Sequence, residues 1–115
     1  MAATKPYSTI RKCGDTYYVS GQLPLDPQTG AMPEDIAEQT RLALAGIERA
    51  AASVGLDRSS VVKTTVFMTD FSKFAEMNEA YAAFFSEPFP ARSAFEVTAL
   101  AAGAAVEIDA VLAAE

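Results

Sequence analysis

Two short segments in the second half of the chain carry charges among apolar residues, and they are where chemistry is best sought. They are Pro90-Ala91-Arg92-Ser93-Ala94-Phe95-Glu96-Val97 and Ala105-Val106-Glu107-Ile108-Asp109-Ala110. Both read as strands, whose side chains alternate between faces. Alternation puts Arg92, Ala94, Glu96 and Thr98 on one polar face, with Ser93, Phe95, Val97 and Ala99 on a largely apolar one. In the last segment Val106, Ile108, Ala110 and Leu112 form the apolar set, and Glu107 and Asp109 point the other way. A guanidinium and a carboxylate are thus carried on neighbouring strand-like elements. The pattern fits a reactive site, and it equally fits a salt-bridged, solvated sheet face.

Other chemistries lack their residues. The chain has no histidine and a single cysteine, Cys13, so neither a Cys–His pair nor an intrachain disulfide can form. Cys13 reads as a small hydrophobe beside a strand. Without histidine, a cysteine cluster or clustered carboxylates, no metal site is expected. The net charge of −6 and the scattered lysines and arginines disfavour a phosphate backbone, so nucleic acid is not an expected partner. With 115 residues, 50% of them hydrophobic and 21% charged, the chain reads as one globular domain, 1–115. No run approaches the ~20 apolar residues of a membrane span, and the N-terminus lacks an apolar signal segment, which makes the cytoplasm the expected address.

The elements that must position Arg92 and Glu107 follow in order. Pro6 biases Lys5 towards extended backbone, and Ser8 to Ile10 reads as a first strand. Gly14-Asp15 turns into a second, Thr16 to Ser20, giving a hairpin. Gly21-Gln22 breaks that strand, and Pro24, Asp26-Pro27 and Thr29-Gly30 punctuate a structured loop or short third strand. Pro33-Glu34-Asp35 opens a helix whose core face is Ile36, Thr40, Ala43, Leu44, Ile47, Ala51 and Val54, closed by Gly55. Val61 to Thr69 is the clearest strand. Asp70 or Ser72 caps a second helix with the core stripe Phe74, Met77, Tyr81, Phe84 and Phe85, and Pro88 and Pro90 stop it. Strands, helix, strand, helix, two strands imply an α+β fold: a mixed sheet of six strands, if the short third one forms, with both helices on one face. The alternate set Val61, Lys63, Thr65, Phe67 and Thr69 would then lie on the uncovered face, too apolar to be simply solvated, and a homo-oligomer through that face is expected.

At Pro90-Ala91-Arg92-Ser93 followed by Val106-Glu107-Ile108, the sequence resembles the reactive-intermediate deaminase family, also called the YjgF family. Pro6-Tyr7-Ser8, Val19-Ser20-Gly21-Gln22-Leu23-Pro24, Asp26-Pro27-Gln28-Thr29-Gly30, Val62-Lys63-Thr64-Thr65-Val66-Phe67 and Phe84-Phe85 look like family motifs in family order. The resemblance implies a chorismate-mutase-like fold and a homotrimer with clefts between subunits. It also implies cofactor-free hydrolysis of enamines and imines such as 2-aminoacrylate to 2-keto acids and ammonia. In that reading Arg92 holds the substrate carboxylate in its planar fork of donors, and Glu107 positions water and moves protons. Tyr7, Ser20, Gly21 and Asn78 match residues near the family's cleft. Ala94 stands where many members carry cysteine, which excludes a thiol there but leaves its backbone able to bind substrate. Lys5 replaces a frequent glycine, and the loop Ser86-Glu87-Pro88-Phe89 is short for the family. Two further readings compete: a non-catalytic trimer binding small carboxylates such as keto acids, and a ribonuclease role, which the acidic, histidine-free chain disfavours.

Overall fold

The computed structural model describes residues 5–114, so residues 1–4 of the N-terminal stretch read above lie outside it. Five strands and two helices run β1 (Ile10–Cys13), β2 (Thr16–Gln22), α1 (Ile36–Ala52), β3 (Val61–Met68), α2 (Phe74–Phe84), β4 (Ala91–Glu96) and β5 (Val106–Ala113). Sheet order is β1-β2-β5-β3-β4. All neighbours are antiparallel except β3 and β4, which are parallel and joined through α2. The α+β class with both helices against one face of a mixed sheet is as expected, but the sheet has five strands among the described residues, not six. The segment after Gln22 forms turns, closed by Gly30 N–H to Asp26 carbonyl at 2.7 Å and by Asp26 Oδ1 accepting from Gln28 N–H. Its prolines and turn-formers win over pairing.

Periodicity explains the helices. In α1 the expected core residues Ile36, Thr40, Ala43, Leu44, Ile47 and Ala51 are all buried, while Val54 falls just beyond the helix and is half-buried. Asp35 is its N-cap, accepting from Glu38 N–H at 2.9 Å, so Pro33 lies outside the helix. In α2 Met77 and Tyr81 are buried together with Phe85, the residue just past the helix, and Phe74 and Phe84 pack against them. Asp70 caps the short 3-10 turn that leads in. The helix-side face of the sheet supplies Val19, Val66, Met68, Val106, Ile108, Ala110 and Leu112 to the same core.

Buried Gln39 ties the layers together. Its Oε1 accepts from the backbone N–H of Ala105 (2.9 Å) and Val106 (3.2 Å), and its Nε2 donates to the Pro33 carbonyl at 2.7 Å. These bonds fix the start of β5, the strand that carries Glu107.

The other sheet face has no helix. Lys63, Thr65 and Phe67 lie on it as expected, whereas Val61 is buried in the core because the register slips between Val61 and Lys63. Phe67 stacks on Phe95 at 6.4 Å, and Phe95 is 53% exposed. Phe95 therefore belongs to the open face, and the helices cover the Arg92–Ala94 side of β4, contrary to the polar-against-apolar reading of that strand. Ala94, on that side, packs against the core.

Candidate functional site

Arg92 is placed by β4. It pairs with Thr64 of β3, whose side chain is buried under α2, so the guanidinium rises on the helix side at the sheet edge. Nη1 donates to Asn78 Oδ1 at 2.7 Å. The guanidinium carbon lies 4.8 Å from the centre of the Tyr81 ring and 5.5 Å from that of Phe74. Phe74, Asn78 and Tyr81 succeed one another at steps of four and three on one face of α2. No carboxylate pairs with Arg92 among the described residues. A cavity of about 360 Å³ opens beside it, lined by Asn78, Tyr81, Ala82, Phe89, Pro90 and Arg92. Burial raises the Tyr81 hydroxyl pKa, and its hydrogen bond with Thr64 and the positive Arg92 ease it back.

Glu107 is placed by β5 on the open face, opposite Phe67. Beside it, β2 and β5 pair at Val19–Ala110 and again at Gln22–Ile108, so Ser20 and Gly21 together oppose Asp109 in a bulge. Ser20 Oγ donates to the Ser8 carbonyl at 2.6 Å, and Gln22 Nε2 donates to the Ser20 carbonyl at 3.0 Å. Gln22 can do so because it lies against Gly46 of α1, where an added Cβ would meet its own Cβ at 3.2 Å. Gly21 in turn lies against the Glu107 carboxylate, so a side chain there would have to displace it. A second cavity, about 300 Å³, is lined by Tyr7, Ser20 and Gly21 with Lys5 and Arg49 at its margin. Burial, and then the neighbouring Asp109, push the Glu107 pKa above the usual carboxylate range.

The expected site residues therefore fall into two groups. Arg92, Asn78 and Ala94 gather on the helix side, whereas Tyr7, Ser20, Gly21 and Glu107 gather elsewhere. The strands of Arg92 and Glu107 are not neighbours, since β3 lies between them, and the two side chains leave opposite faces of the sheet. Two strand spacings alone amount to about 10 Å. The alternative of an Arg92–Glu107 salt bridge on a shared face is thereby removed.

A sequence model of the family described as Endoribonuclease L-PSP matches residues 1–114. A 2-iminobutanoate/2-iminopropanoate deaminase of Salmonella typhimurium is 42% identical, over 96% of this chain and 88% of the relative. The chain belongs to the RidA/YjgF family. A RutC family protein, y4sK of Sinorhizobium fredii, is 48% identical over 96% of this chain and 88% of its own. The crystal structure of the YjgF gene product of E. coli superposes with a TM-score of 0.92 at 39% identity, covering 99% of this chain and 92% of that one.

Within this RidA/YjgF chain, sequence reasoning passed over the surroundings of Arg92. Phe74 and Tyr81 were assigned to core packing alone, yet both also face the guanidinium. Their helical spacing with Asn78 was the available signal. The Thr64 hydroxyl that meets Tyr81 at 2.6 Å had none, because the two residues come together only through tertiary packing. Among the described residues no cluster of three His, Cys, Asp or Glu could hold a metal, and no helix is long and apolar enough to cross a membrane.

Proposed function

We propose that the protein is a cytoplasmic, homotrimeric hydrolytic deaminase that converts enamines and imines of the 2-aminoacrylate class to 2-keto acids and ammonia. The observation that carries this reading is the separation of an acid-free Arg92, presented beside a cavity, from a Glu107 whose pKa is raised. The deaminase relative at 42% identity supports the same chemistry. In this reading open sheet faces meet between copies, and the Glu107 group of one subunit faces the Arg92 group of another.

Arg92 keeps donors beyond the one given to Asn78, enough to grip the substrate carboxylate bidentately. The enamine tautomerises to its imine, and water adds to the C=N carbon. Glu107, ionised, takes a proton from that water as the new C–O bond forms. Glu107 passes that proton to the imine nitrogen to give the carbinolamine, then takes the hydroxyl proton as the C=O bond forms and delivers it to the nitrogen as the C–N bond breaks and ammonia leaves. A carboxylate whose pKa is raised is a better base than an ordinary one and still returns its proton to an amine. Imine hydrolysis is intrinsically easy, so orientation and proton transfer suffice without a covalent nucleophile, in keeping with Ala94. Tyr7, Ser20 and Gly21 shape the Glu107 side, Ser20 through the bulge and Gly21 by its missing side chain. The backbone at Ala94 lies on the strand of Arg92, in position to meet the same substrate.

A second reading, a trimer that binds small carboxylates without turning them over, is favoured by one feature: the Arg92 surroundings are complete without Glu107. One assay separates them. A serine or threonine dehydratase generates 2-aminoacrylate, and keto-acid release is followed with the intact protein and with Arg92→Ala. Acceleration by the intact protein alone is expected. Equal rates with and without it would reject the deaminase, and a light-scattering mass of one chain at micromolar concentration would reject the composite site.

A further inference from the structure

We infer that Tyr81, anchored by Thr64, is a positioning residue that holds the Arg92 guanidinium edge-out for carboxylate binding. The inference rests on the assignment of Arg92 as the group that binds the substrate carboxylate, and extends it to residues that act through Arg92.

The geometry supplies the mechanism. An arginine on an edge strand has four side-chain torsions, and a freely moving fork loses rotamer entropy when it grips a ligand. Here the Tyr81 ring lies 4.8 Å from the guanidinium carbon and the Phe74 ring 5.5 Å, both within the range of cation–π attraction. Asn78 Oδ1 takes one Nη1 hydrogen at 2.7 Å. The rings pack against the guanidinium and Asn78 holds one corner, so the remaining N–H donors are left for a planar anion.

Tyr81 is itself fixed. It is 4% exposed, packs on Phe85 at 5.0 Å, and its hydroxyl shares a 2.6 Å hydrogen bond with the fully buried Thr64 of the interior strand β3. Thr64 is also the residue that pairs with Arg92 in the sheet. The platform and the side chain it supports are thus referenced to one point of the backbone. A ring needed only for packing would not need a hydroxyl, and burying one without a partner would be costly.

The test follows the Arg92 side chain itself and does not depend on turnover. In the intact protein, the Arg92 Nε–H proton should resonate upfield of solvent-exposed arginines because of the Tyr81 ring current. Tyr81→Phe keeps the ring but removes its hydrogen bond to Thr64, and should retain only part of that shift; a shift equal to wild type overturns the anchoring role of Thr64. Tyr81→Leu should lose the shift and weaken binding of 2-ketobutyrate, used as probe in calorimetry, on the order of tenfold. Should Tyr81→Leu fail to fold, Tyr81→Met fills the space with a flexible apolar chain and should give the same result. An Arg92 resonance indifferent to loss of the ring, or a lost shift with unchanged 2-ketobutyrate affinity, overturns the positioning role. Wild-type protein with the shifted resonance but no 2-ketobutyrate binding overturns the assignment of Arg92 to substrate, a distinguishable failure.

Discussion

Gly21→Ala isolates the placement of Glu107 from its presence. A methyl built at Gly21 would sit against Glu107 Oε2, 2.9 Å from Cδ and 3.3 Å from Cγ. Ordinary carbon–carbon contact begins near 3.5 Å, so Cδ must retreat by about 0.6 Å and the carboxylate oxygen by more. The backbone is no obstacle, because Gly21 is not among the glycines with positive φ. The intruding methyl meets the end of a flexible side chain, which can rotate away at a cost of about 1 kcal/mol. Restricting the unfolded chain offsets part of that, by about 0.4–1 kcal/mol. Melting should therefore move little. Turnover should not escape, since a displacement of about 1 Å in a proton-handling group costs on the order of 100-fold, or about 2.7 kcal/mol in the barrier. The assay is kcat and KM on 2-aminoacrylate generated in place, beside a thermal melt. A large loss in kcat with an unchanged melt is expected, while KM, set by Arg92, stays close to wild type. A Gly21→Ala enzyme within threefold of wild-type kcat would refute the role given to the Glu107 carboxylate.

Arg92→Lys keeps the charge and loses the fork, and should weaken 2-ketobutyrate binding on the order of tenfold in calorimetry; an unchanged affinity would show that the cation alone suffices. Burial first, and then Asp109, raise the Glu107 pKa above its ordinary 4.5, so the fold holds this proton more tightly than the unfolded chain does. The associated stability is full below 4.5 and is lost as pH rises through the folded value. Glu107→Gln should thus melt above wild type at neutral pH, the gap closing in acid, and should be inactive; a melt equal to wild type throughout would contradict the shift. Gln39→Leu leaves the Ala105 and Val106 N–H groups and the Pro33 carbonyl without their partner, and should cost about 3 kcal/mol in urea unfolding.

Local signals made the helices legible. Steps of three and four identify the core faces of α1 and α2, and Asp35 marks the capped start of α1, whereas Asp70 caps only the 3-10 turn and α2 itself begins after Lys73 without a side-chain cap. Strand order was not legible, because β5, last in the chain, pairs with β2 and β3 in the middle of the sheet, and nothing near Val106 announces partners so far away in sequence. Alternation separates Phe95 from Ala94, but only the strand pairing shows that the Phe95 side of β4, with Phe67, is the open one. Val61 shows the limit of alternation itself, since one slipped register moves a residue to the other face. The candidate site residues are legible through their motifs, yet their division between two faces depends on strand pairing. Lys63 illustrates it: its Nζ reaches Ser93 Oγ at 3.3 Å across β3 and β4, a contact visible only once those strands are parallel neighbours.

That division has an electrostatic consequence. Had Arg92 and Glu107 shared a face at contact distance, each would have found its partner in the other. The guanidinium would then have been neutralised before any substrate arrived, and the carboxylate pKa would have fallen, making a poorer base. With β3 between them and the sheet separating their faces, Glu107 feels burial and Asp109 instead, and its pKa rises. Arg92 finds only the uncharged Asn78 and two aromatic rings, which orient it without cancelling its charge. In the proposed trimer the groups meet only across a subunit boundary, with a substrate carboxylate taking the guanidinium and leaving Glu107 free to accept a proton from water. The fold keeps the two charges from quenching one another within the chain, and in the proposed trimer assembly would make the pair a site.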